Sequence, residues 1–358
     1  MNAVYTIIAF LVGFTLMVLV HEWGHYITGR MFKAKIDEFA LGMGPKIYQK
    51  RSKKTNVLFS LRSIPIGGFV KFTGDDEVYG EQAPVTDEKD PYLLPNLAVW
   101  KRFIIYAAGA FMNIVLGVML IIGLYSILGA EATIPQVADV IKDSPGYTAG
   151  LQAGDRFVSI NGVVIDTEDD DVAVDQVSNL ITQGGELNVV VERNGELVEL
   201  LIVPQLDEST NTYKVGFYFD YKIIRLTVGE ILTNSVKSAG YMMSMIYQVL
   251  GDVIFKGEGT ENIGGPVAII TVISSATRQG IMSVVSVFAS LTLNLAVVNM
   301  LPFPALDGGK CLLLIIEGIT RKPINKKIEG WINLVGFAVL MLLMVLVGAK
   351  DIFNLIAG

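Results

Sequence analysis

The stretch Val18-Leu19-Val20-His21-Glu22-Trp23-Gly24-His25 ends an apolar run that begins near Val4, reaches Ile27, and carries no charge before His21. A helix rises 1.5 Å per residue, so 4–27 is long enough for the roughly 30 Å of a bilayer core. Three further runs have the same character: Phe103 to Leu128, Ile281 to Leu306, and a shorter one from Ile332 to Val347. The 358 residues are 52% hydrophobic and 18% charged. A soluble globular chain carries closer to about a quarter charged residues. The excess of apolar residues lies in these runs, so the expected fold is a polytopic α-helical membrane protein with four transmembrane helices. The first run does not read as a cleaved signal peptide, because its early flank lacks basic residues and no small-residue cleavage pattern follows.

A formal net charge of −7 leaves no basic field for nucleic acid, and none is expected as a partner. One cysteine, Cys311, excludes an internal disulfide framework. Basic residues cluster in the loop between the first two runs (Lys33, Lys35, Lys46, Lys50, Arg51, Lys53, Lys54, Lys101, Arg102) and in the loop before the fourth (Arg321, Lys322, Lys326, Lys327). By the positive-inside rule both loops face the cytoplasm, and the region from about Glu131 to Gly280 lies outside. Within it, Phe157 to Ile160, Leu187 to Val191 and Leu197 to Val203 read as strands. Asn161-Gly162 and Asn194-Gly195 serve as tight turns. Residues 228–255 read as an amphipathic surface helix, since Glu230, Lys237 and Asp252 interrupt the apolar window.

Two histidines four apart on a helix share one face, one turn above each other. Both can give a ring nitrogen to one zinc ion, and Glu22 beside them can take a proton from water at that metal. His21 and His25 are the only histidines in the chain. Ionisable groups at the end of an apolar helix are functional candidates by default. A catalytic zinc has three protein ligands, so the third must be a carboxylate or Cys311. Asp307 and Glu317 are the carboxylates near a membrane boundary. Asp307 follows Pro302 and Pro304 and precedes Gly308-Gly309, where two prolines break the helix and two glycines are expected to let the backbone turn tightly. The plain alternative is a loop with Asp307 as a helix cap.

His21-Glu22-Trp23-Gly24-His25 together with Asn299 to Gly309 resembles the site-2 protease family of intramembrane zinc metalloproteases, over nearly the whole chain. The likeness is greatest to the bacterial regulator-of-sigma-factor proteases. The resemblance implies Zn2+ as cofactor, with His21, His25 and Asp307 as ligands and Glu22 as catalytic base. It implies substrate backbone binding at Asn299, in a loop shaped by Pro302 and Pro304. Ser144-Pro145-Gly146, Ala149-Gly150-Leu151, Ala153-Gly154-Asp155 and Ser159-Ile160-Asn161-Gly162 resemble a PDZ domain of the bacterial protease type. Val57 to Leu61 and Ile64 to Phe72, preceded by Gly42-Met43-Gly44-Pro45, resemble the family's membrane-associated cytoplasmic β-hairpin.

The expected division is then 1–130, two transmembrane helices with the zinc motif and hairpin; 131–206, an extracytoplasmic PDZ domain; 207–280, a linker with the amphipathic helix; and 281–358, the last two transmembrane helices. By resemblance the protein sits in a bacterial plasma membrane among lipid. It cuts single-span membrane proteins already cleaved by another protease, of the anti-sigma-factor type or signal-peptide remnants, with a peptide or substrate tail at the PDZ domain. Two other readings compete: a membrane-anchored zinc protease acting on exposed loops, with a downstream glutamate as third ligand, and a scaffold with a structural metal. Glu22 argues against the last, since a structural site needs no base.

Overall fold

The computed structural model describes residues 2–74, 89–166, 169–207, 211–257 and 264–357. The chain divides into two compact units, 1–124 with 230–358, and 125–229.

In the first unit the four apolar runs become α1 (Asn2–Met31), α2 (Val99–Leu128), α7 (Ile281–Asn299) and α9 (Lys326–Ala357). Each is long and apolar enough to cross a membrane. Only 6% of the most apolar window of α9 is buried by protein. Its Leu334, Val335, Phe337 and Leu342 face outward, an apolar surface suited to lipid. The third run ends seven residues earlier than its composition suggests, at Asn299. Residues 300–306 form an irregular loop, and the chain resumes as α8 (Asp307–Thr320). The 228–255 segment supplies α5 (Val228–Gly251), which is not among the candidate spans. An unanticipated short helix, α6 (Pro266–Gln279), precedes α7. Ile273 and Ala276 of α6 pack with Met17 of α1 and Val284 and Phe288 of α7 in one core. Gly264-Gly265 lead into α6.

The loop after α1 holds β1 (Ile36–Arg51) and β2 (Leu58–Phe72), paired antiparallel. Here the structure enlarges the expected hairpin. Phe39 pairs with both Val70 and Phe59, while Lys50 pairs with Phe59. Each long strand therefore bends back on itself and gives four rungs, in the order 46–51, 58–62, 38–41, 68–72. The bends fall at Gly42, Gly44 and Gly67, all at positive φ, a conformation glycine adopts at no steric cost. The lysine-rich stretch 46–54 had hidden the first strand, because its charges read as loop. Ala34, Ile36, Phe39, Val57 and Phe72 form the core beneath this sheet with Leu94, Leu97 and Ile105.

The second unit is β-rich: β3 (Ala130–Val140), α3 (Pro145–Thr148), β4 (Arg156–Ile160), β5 (Val163–Val164), α4 (Asp170–Thr182), β6 (Leu187–Arg193), β7 (Glu196–Ile202), β8 (Gln205–Asp207), β9 (Thr212–Lys214) and β10 (Phe217–Ile224). One antiparallel sheet runs β10-β3-β4-β6-β7, with β5 on β4. Asn161-Gly162 and Asn194-Gly195 have positive φ at both residues, as a two-residue hairpin with the sheet's twist requires. The sheet does not end at residue 206. Phe217 to Ile224 pairs with Val140 back to Ala130, so these residues belong to the β unit rather than to a linker. Their partner lies some eighty residues upstream, too far for a local pattern to reveal.

Candidate metal centre

His21 and His25 stand one turn apart on α1, with ring centroids 4.8 Å apart in an edge-to-face arrangement. Nδ1–H of His25 donates to the carbonyl of Ile105 on α2 at 2.7 Å. The neutral ring's Nε2 is thereby left as a bare lone pair. Nδ1 of His21 faces the side-chain amide of Asn113, also on α2, at 3.3 Å. Between these two partners lies Gly109, where an added Cβ would fall 2.4 Å from His25 Nε2. Ile105, Gly109 and Asn113 are four residues apart and so share one face of α2.

Asp307 is the first residue of α8, directly after the 300–306 loop. The turn is made at Ala305, at φ 70°. Gly308 and Gly309 do not make it, contrary to the sequence-based expectation. They lie in the first helical turn of α8. An added Cβ there would meet the carbonyl oxygens of Leu301 and Phe303 at 2.2 Å. The glycines therefore admit the loop backbone against the helix start, which brings the Asp307 carboxylate back to α1.

The result is a compact triad of donor atoms. His21 Nε2 and His25 Nε2 are 3.2 Å apart, and Asp307 Oδ2 lies 3.1 Å from the first and 3.4 Å from the second. Ligands at 2.0–2.1 Å from a tetrahedral zinc are separated by about 3.3 Å, so the three atoms form one face of such a tetrahedron. The donor chemistry also fits: two imidazole nitrogens and a carboxylate oxygen, all zinc-ligating atoms, converge at the spacing a single ion requires. Among the described residues this is the one group of three or more such side chains that could hold a metal.

A cavity of about 230 Å³ opens on the triad. Glu22, Asn299, Tyr106, Lys310 and the outer strand Gly68–Phe72 line it. Glu22 is thus beside the triad, as its position in the motif implies. Nδ2 of Asn299 lies 3.4 Å from His21 Nε2. Pro302 and Pro304 do not line this cavity; Pro304 packs instead against Gly336 of α9. Glu317 is held by Arg102 through two hydrogen bonds, at 2.6 and 3.2 Å, and stands outside the triad. Cys311 is buried with its thiol towards the carbonyl of Phe103. Asn294 is exposed and contributes nothing to the cavity. Sequence reasoning missed Gly109 and Asn113. The signal for Asn113 was an amide in the middle of an uncharged span, where polar groups are costly.

Comparison with known proteins places this geometry in a family. The profile of peptidase family M50 matches residues 9–343. A protein of Clostridium perfringens, named by inference as a zinc metalloprotease, is 34% identical over 349 residues, covering 97% of this chain and 98% of its own. A protein of Clostridium acetobutylicum with the same description is 31% identical over 350 residues, 97% of each chain. The eep protein of Enterococcus faecalis, described by inference as a protease, is 29% identical over 426 residues, covering 97% of this chain and 98% of its own. The chain belongs to peptidase family M50, the site-2 proteases, and is a membrane-integral zinc metalloprotease.

Proposed function

We propose that the protein is an intramembrane endopeptidase that cuts the transmembrane segment of a single-span membrane protein. The observation that carries this reading is the donor triad, assembled from a helix long enough to span the membrane and from the start of α8, just after another such helix ends. In it His21, His25 and Asp307 are the zinc ligands. Zinc in such a site supplies Lewis acidity, activating water and polarising a peptide carbonyl. Glu22 takes the proton of the attacking water and delivers it to the leaving amine. Asn299 holds the substrate backbone through its amide, and Pro302 and Pro304 keep its loop rigid.

A helical substrate hides its peptide bonds in internal hydrogen bonds, so it must extend before attack. The strand Gly68–Phe72 lines the cavity and pairs with residues of β1. We assign to this sheet the reception of an extended substrate segment by strand addition.

We read residues 125–229 as the PDZ domain, on the strength of the Ser144 to Gly162 strings, and assign it a role as sensor of substrate size or end. The lysine and arginine distribution supports placing the β1–β2 loop in the cytoplasm and the PDZ domain outside a bacterial plasma membrane. The substrate is then a protein trimmed earlier by another protease, of the anti-sigma-factor type or a signal-peptide remnant.

Membrane proteomics of cells carrying wild-type or Glu22→Gln protein tests this proposal. A trimmed single-span protein accumulating in the variant is the expected result. Full cleavage of a reporter transmembrane substrate by Glu22→Gln would overturn it. Asp307→Ala is expected to lose bound zinc and Glu317→Ala to keep it, which separates this reading from a protease using a downstream glutamate.

A further inference from the structure

A nitrogen that binds zinc presents a bare lone pair, and in a neutral imidazole the proton then sits on the other nitrogen. For His25 the structure accounts for that proton: Nδ1–H donates to the Ile105 carbonyl. For His21, ligation through Nε2 puts the proton on Nδ1, which faces Nδ2 of Asn113 at 3.3 Å. Two N–H groups cannot bond to each other. Oδ1 of the same amide is buried and meets no donor. A half-turn of the amide exchanges its oxygen and nitrogen without changing its shape.

We propose that Asn113 presents Oδ1 to Nδ1–H of His21 when the site holds zinc, and so fixes the ring's tautomer and orientation as a positioning residue. This rests on the zinc reading above. Three observations favour it. Asn113 is fully buried in a span without charges, where an amide is costly unless it has a task. It lies two turns along α2 from Ile105, on the same face, so one helix supplies the outer partner of both rings. Its own carbonyl accepts from Thr292 of α7 at 3.4 Å, which ties it to a third span. In the alternative orientation Nδ2–H donates to Nδ1, and the proton moves to Nε2, which then faces Asp307 Oδ2. That arrangement suits the metal-free site alone.

Outer partners of metal-bound histidines are worth about 10–100-fold in metal affinity. Chelator competition on the full chain in detergent is therefore expected to show a loss of that size in Asn113→Leu, which keeps the bulk and removes the acceptor. Asn113→Asp retains an acceptor and should bind zinc within about threefold of wild type, or more tightly. A second readout is independent of affinity. The chain has only His21 and His25, so ring ¹⁵N labelling reports on these two alone. The zinc-loaded wild type should show both rings protonated at Nδ1.

Wild-type zinc affinity in a folded Asn113→Leu variant overturns the proposal. So does a zinc-loaded His21 ring protonated at Nε2, a measurement that stands even if the leucine variant does not fold. His21→Ala and Asp307→Ala separate the two levels. If both keep wild-type zinc affinity, the zinc reading falls. If both lose it while Asn113→Leu does not, the role of Asn113 alone falls.

Discussion

The two units solve the same problem in opposite ways. In residues 125–229, Phe157, Ile160, Val177, Val189 and Val191 are buried together. The buried carboxylate of Asp155 is matched by Arg193 at 2.7 Å through two hydrogen bonds. In the helical unit many apolar side chains of the spans face outward, while polar groups such as His21, His25, Asn113 and Thr292 are buried. Water drives the first arrangement by expelling apolar surface. Lipid offers no such gain, so the second depends on close packing and on every buried polar group finding a partner. Function follows the contrast. A cluster of polar groups excluded from lipid is where an ion and a water can be held, and the candidate metal centre lies there.

Four measurements would break or sharpen that contrast. The largest effect is expected for Glu22→Gln, which keeps zinc but should lower cleavage of a reporter substrate by about 10²–10⁴-fold. Next is Gly109→Ala. The new methyl would fall 2.4 Å from His25 Nε2, so zinc retention after dialysis should collapse. Hydrogen exchange in residues 125–229 should not change. Third is Phe157→Ala, which removes a ring 1% exposed at the centre of the β unit's core. It should destabilise that unit by about 3–5 kcal/mol, read by exchange in the full chain, with zinc binding preserved. Loss of zinc there would mean that the two cores are not independent.

The smallest effect concerns acid. Burial pushes the Glu38 carboxyl up, but hydrogen bonds from Ser60 and Arg62, together with Lys46, hold it below its ordinary 4.5. A carboxyl lowered in the folded state adds stability that is present above the unfolded pKa and lost as pH falls through the folded one. Exchange protection in β1 and β2 should therefore be flat above about pH 5 and decline below about pH 4. Glu38→Gln should weaken that dependence.

How legible each part was depended on the range of the forces behind it. The spans of α1 and α2 were readable to within a few residues, because hydrocarbon thickness imposes a length and a composition on consecutive residues. The Asn-Gly turns of the β unit were equally local. The end of α7 was not. Residues 300–306 are still apolar, and what stops the helix is Pro302, Pro304 and the packing of the loop against Gly308 and Gly309. The first bent strand was hidden by its own lysines. The pairing of β10 with β3 joins segments far apart in the chain.

The sequence by itself determined that this chain crosses a membrane and carries a zinc-type pair, because both properties are written in neighbouring residues. Residue types and spacing alone left the third ligand open among a carboxylate at 307, one at 317, and the thiol of Cys311, and the family resemblance pointed to Asp307. What only the tertiary structure shows is which of the three stands beside the two histidines. It spends Glu317 on Arg102, turns Cys311 towards a backbone carbonyl, and brings Asp307 within 3.4 Å of both rings. It alone also sets Gly109 and Asn113 behind the histidines, since which face of α2 meets α1 is a matter of packing between helices that no single helix encodes.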